Sequence, residues 1–194
     1  MIIVIGHPLA LAGPDGARPG GAAALAAMAA ARSGSTVQLV GKIGDDEPGD
    51  AVVLALATAG VGHVALLRDP ARRTPVVTPT VSSEDPESEA DTEATVDDHS
   101  DADQRPTLEA ADVELGLRYL TDYRVVVVAD PVSDAILGAA SEAARYAGAQ
   151  LVVVAADASA PGATLPEEAL VLAAADADPE GCLLYTSPSP RDRG

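Results

Sequence analysis

The chain has 194 residues, a formal net charge of −18, four Tyr, and neither Phe nor Trp. That length suits one domain with a core large enough to stand alone, and the core has to be tiled from Ala, Val and Leu. So acidic a surface repels polyanions, which argues against nucleic acid or an anionic membrane as partner.

Ile2–Ile5 is an unbroken apolar run with β-branched residues, the mark of a strand buried on both faces, and Gly6-His7-Pro8 ends it. The opening MIIVIG is too short for a signal peptide and lacks a basic flank. No apolar run approaches the ~20 residues of a spanning helix, so a cytoplasmic protein is expected. The Gly/Pro-rich loop to Pro19 cannot continue regular structure. A first helix is predicted over Gly21–Ser33, apolar all round and therefore buried, with alanines that permit close approach to a sheet. A strand at Thr36–Val40 and a helix at Asp50–Ala59 follow, the helix led in by Pro48-Gly49 and stopped at Gly60. Val64–Leu67 and Thr74–Val77 are short strand candidates.

Glu84–Asp103 changes character, with ten acidic residues, no Lys or Arg, and almost nothing large and apolar. Such a run repels itself and buries too little to offset the entropy of ordering, so a disordered insertion is expected over 82–105. An acidic arm for a metal or a partner is the alternative, although Asp97, Asp98, Asp101 and Asp103 lack the Gly turn and terminal Glu of a calcium loop. Pro106-Thr107 then starts a helix, with Thr107 as N-cap and Glu109 in the first turn, running to about Thr121. Val125–Ala129 is a strand, Asp130-Pro131 leads to a helix from about Ser133 to a stop at Gly148, and Leu151–Ala155 is another strand. A loop at Asp157–Leu165, a short helix at Pro166–Ala169 and a last strand at Leu170–Ala173 complete the pattern. Strands apolar throughout and alternating with helices predict an α/β sandwich with a mainly parallel sheet.

The end of the chain reads differently. A reverse translation of Cys182–Asp192, CLLYTSPSPRD, matches the adapter of transposase-made sequencing libraries. Residues 182–194 are therefore expected to be non-native, with a natural chain interrupted near Gly181; a Ser/Pro-rich natural tail is the alternative. The domain proper is expected to be residues 1–181.

Gly20, Gly21, Ala27, Gly34, Gly41, Gly44, Asp46 and Gly49 resemble, in type and spacing, the N-terminal motifs of the ribokinase/PfkB family of carbohydrate kinases. The resemblance covers roughly 2–77 and 106–180, and Leu25 stands where the family pattern has Asn. It implies a ribokinase-like three-layer α/β/α sandwich that transfers the γ-phosphoryl of ATP, with Mg2+, to a hydroxyl of a sugar or sugar-like small molecule. Family members cover the sugar with a small β lid. Here the insertion after the first strand is expected to be too short for two strands, and the acidic run replaces the second contribution, so the lid is expected to be reduced or absent.

Such catalysis needs positioning and charge stabilisation. The family supplies these with a C-terminal Gly-Ala-Gly-Asp turn, which this chain lacks; the chain as given is expected to be inactive, with no catalytic residue or metal ligand assigned. Candidate substrate contacts are Gly20, Gly21 and Asp130, the last at a strand end, where α/β proteins collect ligands. Gly20-Gly21 serves equally well as a tight turn, Asp45 and Asp46 are expected to orient the turn before the second helix, His7 to be a solvated loop residue, and Lys42 to lie on the surface. No Walker A, GxGxxG, GxSxG, HExxH or paired-cysteine pattern occurs. Two readings follow: a ribokinase-type kinase completed by further sequence, or a degenerate relative that keeps the fold as a binding module.

Overall fold

The structure, a computed structural model, describes residues 1–14, 16–79, 96–98, 104–155 and 169–173. In chain order its elements are β1 (Ile2–Ile5), β2 (Leu9–Leu11), β3 (Arg18–Gly20), α1 (Ala22–Arg32), β4 (Val37–Gly44), α2 (Glu47–Thr58), β5 (Val61–Gly62), β6 (Leu66–Asp69) and β7 (Val76–Pro79). There follow β8 (Val96–Asp98), α3 (Ala110–Arg118), β9 (Val125–Val128), α4 (Asp134–Ala147), β10 (Gln150–Ala155) and β11 (Leu170–Ala173).

A seven-stranded sheet has the order β11-β10-β9-β1-β4-β5, with β6 pairing the far half of β4. Every pairing in it is parallel. Alternate residues of β1 point to opposite layers. Ile3 and Ile5 join the buried cluster of α3 and α4, and Val4 joins that of α1 and α2. This is the three-layer sandwich read from the sequence, and the mainly parallel sheet with it. Ala23, Ala24 and Ala27 of α1 are wholly buried, because methyl groups alone bring the helix backbone close to the sheet.

Local chemistry explains where the helices begin and end. Asp46 caps α2 and Pro48 sits in its first turn, so this helix starts ahead of the expected Asp50. α3 starts later than expected: Leu108 is buried in the core, and Glu109 with Asp112 forms a reciprocal cap, so Thr107 is not the N-cap. α4 is capped by Ser133 and ends at Gly148, which is left-handed with φ 64°. A Cβ on Gly148 would meet no other atom, so only its backbone conformation resists substitution. Gly148→Ala is therefore expected to cost about 1 kcal/mol. Gly138→Ala, in the open interior of the same helix, is expected to gain about 0.5–1 kcal/mol. Urea denaturation of the two variants reads the opposite signs.

The lid expectation needs correction. β2 and β3 pair antiparallel, β7 joins β2 in parallel and β8 pairs β7 antiparallel, making a four-stranded sheet. Two strands fit the short insertion because each has only three residues. The Ala10 and Ala12 amides donate to the Pro75 and Val77 carbonyls, so β2 gains its second neighbour from a distant segment. Pro19 is tolerated because β3 is an edge strand. Val96–Asp98, inside the acidic insertion, is likewise a strand and not unstructured. The expectations for the rest of 82–103, the loop and helix over 157–168, and the tail 182–194 lie outside the described residues.

Candidate functional site at the carboxyl ends of β1 and β9

From β1 the chain moves to β4 on one side, and it later returns to β9 on the other. Such a reversal opens a crevice beyond the carboxyl ends of the strands, where open α/β sheets bind ligands. The register pairs Ile5 with Val40 and with Val128. It continues past the strand ends, where Gly6 N–H donates to Val40 O (3.1 Å) and Ala129 N–H donates to Ile5 O (3.0 Å). Asp130 therefore emerges beside Gly6-His7, and its Oδ2 accepts the His7 backbone N–H at 2.6 Å across 123 residues of sequence.

α1 opens at the same corner. Gly21 is its N-cap, with φ 85° and no side-chain cap. A Cβ there would lie 2.9 Å from His7 O, so a side chain is excluded by contact as well as by conformation. The Ala22 amide at the start of the helix has no intrahelical acceptor and Ala22 is exposed, whereas Ala23 and Ala24 behind it are wholly buried. Gly20 lies beneath Leu9 and Leu11 of the neighbouring strand, where a Cβ would collide with both side chains. The structure thus brings Gly21 and Asp130 together at the His7 backbone, with Gly20 next to Gly21 in the chain but facing Leu9 and Leu11. That backbone is the contributor the sequence did not reveal, since an amide carries no residue signature. Leu25, one turn into α1, is 51% exposed and has no hydrogen-bonding side chain.

The Gly-Asp turn after β4 has a different task. Asp46 Oδ1 accepts from Gly49 N–H (3.0 Å) and the Thr74 hydroxyl (2.6 Å), and Oδ2 accepts from Thr74 N–H (2.9 Å). Thr74 Oγ1 in turn accepts Gly44 N–H at 3.0 Å. Side chains at Gly44 or Gly49 would strike Thr74, so the spaced glycines make room for this knot. Asp46 orients the turn, as read from the sequence. Asp45 instead lies 3.6 Å from Arg68, which also pairs with Asp50 at 2.7 Å. Lys42 is not a free surface residue: Nζ lies 3.0 Å from Asp112 Oδ2, with both side chains 19% exposed, and ties β4 to the start of α3.

A cavity of about 930 Å³ lies at the opposite, amino-terminal end of the strands, lined by Arg124, Arg145 and Gln150 near the starts of β9 and β10. It is remote from the crevice and at the wrong end of the strands for a ligand of an open α/β sheet. A second, of about 640 Å³, lies between α3 and α4, near Tyr123 and Tyr146. Burial raises the Tyr123 phenol above its ordinary range. Among the described residues, no group of three His, Cys, Asp or Glu could hold a metal, and no helix is long and apolar enough to cross a membrane.

The pfkB family carbohydrate kinase model matches residues 12–177. Bifunctional protein HldE of Azorhizobium caulinodans is 34% identical over 149 residues, spanning 75% of this chain and 30% of that protein. A fructokinase from Vibrio cholerae, solved with fructose, ADP and calcium, superposes with a TM-score of 0.59 at 19% identity, over 79% of this chain and 49% of that one. Aminoimidazole riboside kinase from Salmonella enterica, solved with its riboside and an ATP analogue, gives 0.59 at 18% identity, over 79% and 49%. The chain thus spans about half the length of these two kinases and less of the bifunctional relative.

Proposed function

The chain belongs to the pfkB family of carbohydrate kinases, and on that premise we propose that it carries the acceptor-binding part of a cytoplasmic small-molecule kinase that moves the γ-phosphoryl of ATP to a substrate hydroxyl. The observation that supports this is the meeting of Asp130, the His7 backbone and the Gly21-led helix start at the reversal of strand order. Asp130 is the charged acceptor for a substrate hydroxyl, and the exposed Ala22 amide at the start of α1 is a donor.

Phosphoryl transfer further requires charge stabilisation around the moving group. ATP supplies the phosphoryl, and among the described residues no group of three His, Cys, Asp or Glu could hold the Mg2+ that accompanies it. The stretch 176–180, where the family resemblance puts magnesium-ordering groups, lies outside the described residues. As it stands, the 194-residue chain is expected to bind acceptor without turning it over. Leu25 favours an acceptor that makes few polar contacts at α1, because a hydroxyl stripped of water without a partner costs about 1–3 kcal/mol. The same Leu25 is the observation favouring the second reading, a degenerate member that binds without catalysis.

The parent gene, recovered at full length, decides between the two. A downstream Gly-Ala-Gly-Asp turn together with ATP-dependent phosphorylation of a sugar or riboside supports the kinase. Its absence, with no turnover across such a panel, supports the binding module. In the active parent, Asp130→Ala is expected to raise the acceptor KM about 10- to 100-fold with a smaller change in kcat, the loss of a charge-assisted hydrogen bond. An unchanged KM would remove Asp130 from the site.

A further inference from the structure

We infer that Gly6 is a positioning residue: it leaves open the space into which the Asp130 carboxylate fits, so that the His7 amide holds one carboxylate oxygen and the other is presented to the ligand. The inference rests on the acceptor-binding role proposed for Asp130.

A Cβ built on Gly6 would collide with Asp130 Oδ2, the same oxygen that accepts the His7 N–H, and would crowd Asp130 Cγ at 3.1 Å. The carboxylate therefore occupies the place a side chain at position 6 would take. Both walls of this seat are tied to the sheet, through Gly6 N–H to Val40 O and Ala129 N–H to Ile5 O. The seat is fixed by the register of three strands and not by loop conformation. Oδ2 is engaged at 2.6 Å, whereas Oδ1 makes no hydrogen bond among the described residues, and Asp130 is only part-buried. One oxygen is anchored and one is available. Gly6 itself has backbone φ outside the left-handed region, so glycine is required there by space alone.

Gly6 has a second neighbour, Ala23 Cβ of α1, 2.7 Å from the built Cβ. A test must separate the two contacts. Ala23→Gly removes the helix contact, and Gly6→Ala in that background still meets the carboxylate. The readouts are the His7 amide proton in a 15N-resolved NMR spectrum of the whole chain, and titration with D-fructose and D-ribose followed at the Gly21 amide.

Ala23→Gly alone is expected to keep the downfield His7 amide of a charge-assisted hydrogen bond. Gly6→Ala/Ala23→Gly is expected to lose that signature, and to bind the sugars about tenfold or more weakly, while the amides of β9 and β10 stay in place. Asp130→Asn, which retains an acceptor oxygen, is expected to keep more of the amide shift than Asp130→Ala. If the double variant fails to fold, adding Asp130→Ala is expected to restore folding by clearing the space; failure of that rescue overturns the inference. A retained His7 signature in Gly6→Ala/Ala23→Gly also overturns it. So does its loss with sugar affinity intact. If the unsubstituted chain binds neither sugar, the acceptor-binding reading is what fails, and the His7 amide still decides the seat.

Discussion

Asp46→Ala is expected to lower the unfolding free energy by about 3 kcal/mol, because one carboxylate serves as helix cap and as loop tether. The substitution leaves the Gly49 and Thr74 amides without their acceptor and the Thr74 hydroxyl without its own. Thr74 is 3% exposed, so water cannot take over fully. Asp46→Ser should retain the cap to α2 but release Thr74, recovering only the cap's share of about 1 kcal/mol. Asp46→Asn offers one acceptor oxygen and turns an NH2 donor on a second donor, so it should recover less than half of the loss. Urea denaturation at neutral pH with an unchanged m-value is the measurement. A loss below about 1 kcal/mol for Asp46→Ala would mean that the knot is not the anchor of the turn. A Thr74→Val variant combined with Asp46→Ala should fall short of the sum of the single effects, because the two side chains share one network.

Leu39→Ala is expected to cost about 4 kcal/mol, toward the upper end for deletion of a buried leucine. Leu39 is wholly buried in β4 and shares a cluster with Ala23, Ala24 and Ala27 of α1 and with Val52 and Leu56 of α2. The cost of such a deletion depends on how far the neighbours can collapse into the gap. Here three of them are alanine methyl groups on a helix already close to the sheet, which cannot extend into the gap. With no Phe or Trp in the chain, Leu and Ile are the largest purely aliphatic fillers available to this layer. Leu39→Met, which conserves volume, should cost less than about 1.5 kcal/mol. Near-equal losses for Ala and Met would show that the site relaxes freely and that the alanine-lined packing is not what makes the layer rigid.

The lid shows how tertiary pairing can overrule a local reading. Residues 9–20 hold too few strand-forming residues to predict two strands, and Pro19 argues against one of them. The strands form because Pro75 and Val77, more than sixty residues further on at the start of β7, supply acceptors for the Ala10 and Ala12 amides. A similar account fits α3. Its reciprocal Glu109/Asp112 cap and the burial of Leu108 outweigh the Pro106-Thr107 start signal.

Local chemistry determined the main parallel strands and the helices between them: runs of Ile and Val for the buried strands, alanines for α1, a helix start near Ser133 and Gly148 as its stop. The glycine and aspartate spacing around β4 also carried the family resemblance. It did so because Gly41, Gly44 and Gly49 each clear a contact, Gly34 takes a left-handed φ, and the aspartate binds its own turn, which makes it a signature of the fold more than of the chemistry. Only the folded chain decided which polar groups meet. His7 and Asp130 are 123 residues apart, Lys42 and Asp112 are 70 apart, and Asp46 and Thr74 are 28 apart. Such pairs are set by strand register and crossover, quantities no local pattern encodes, and so the corner holding Gly21, His7 and Asp130 became visible only when β1 was seated between β4 and β9.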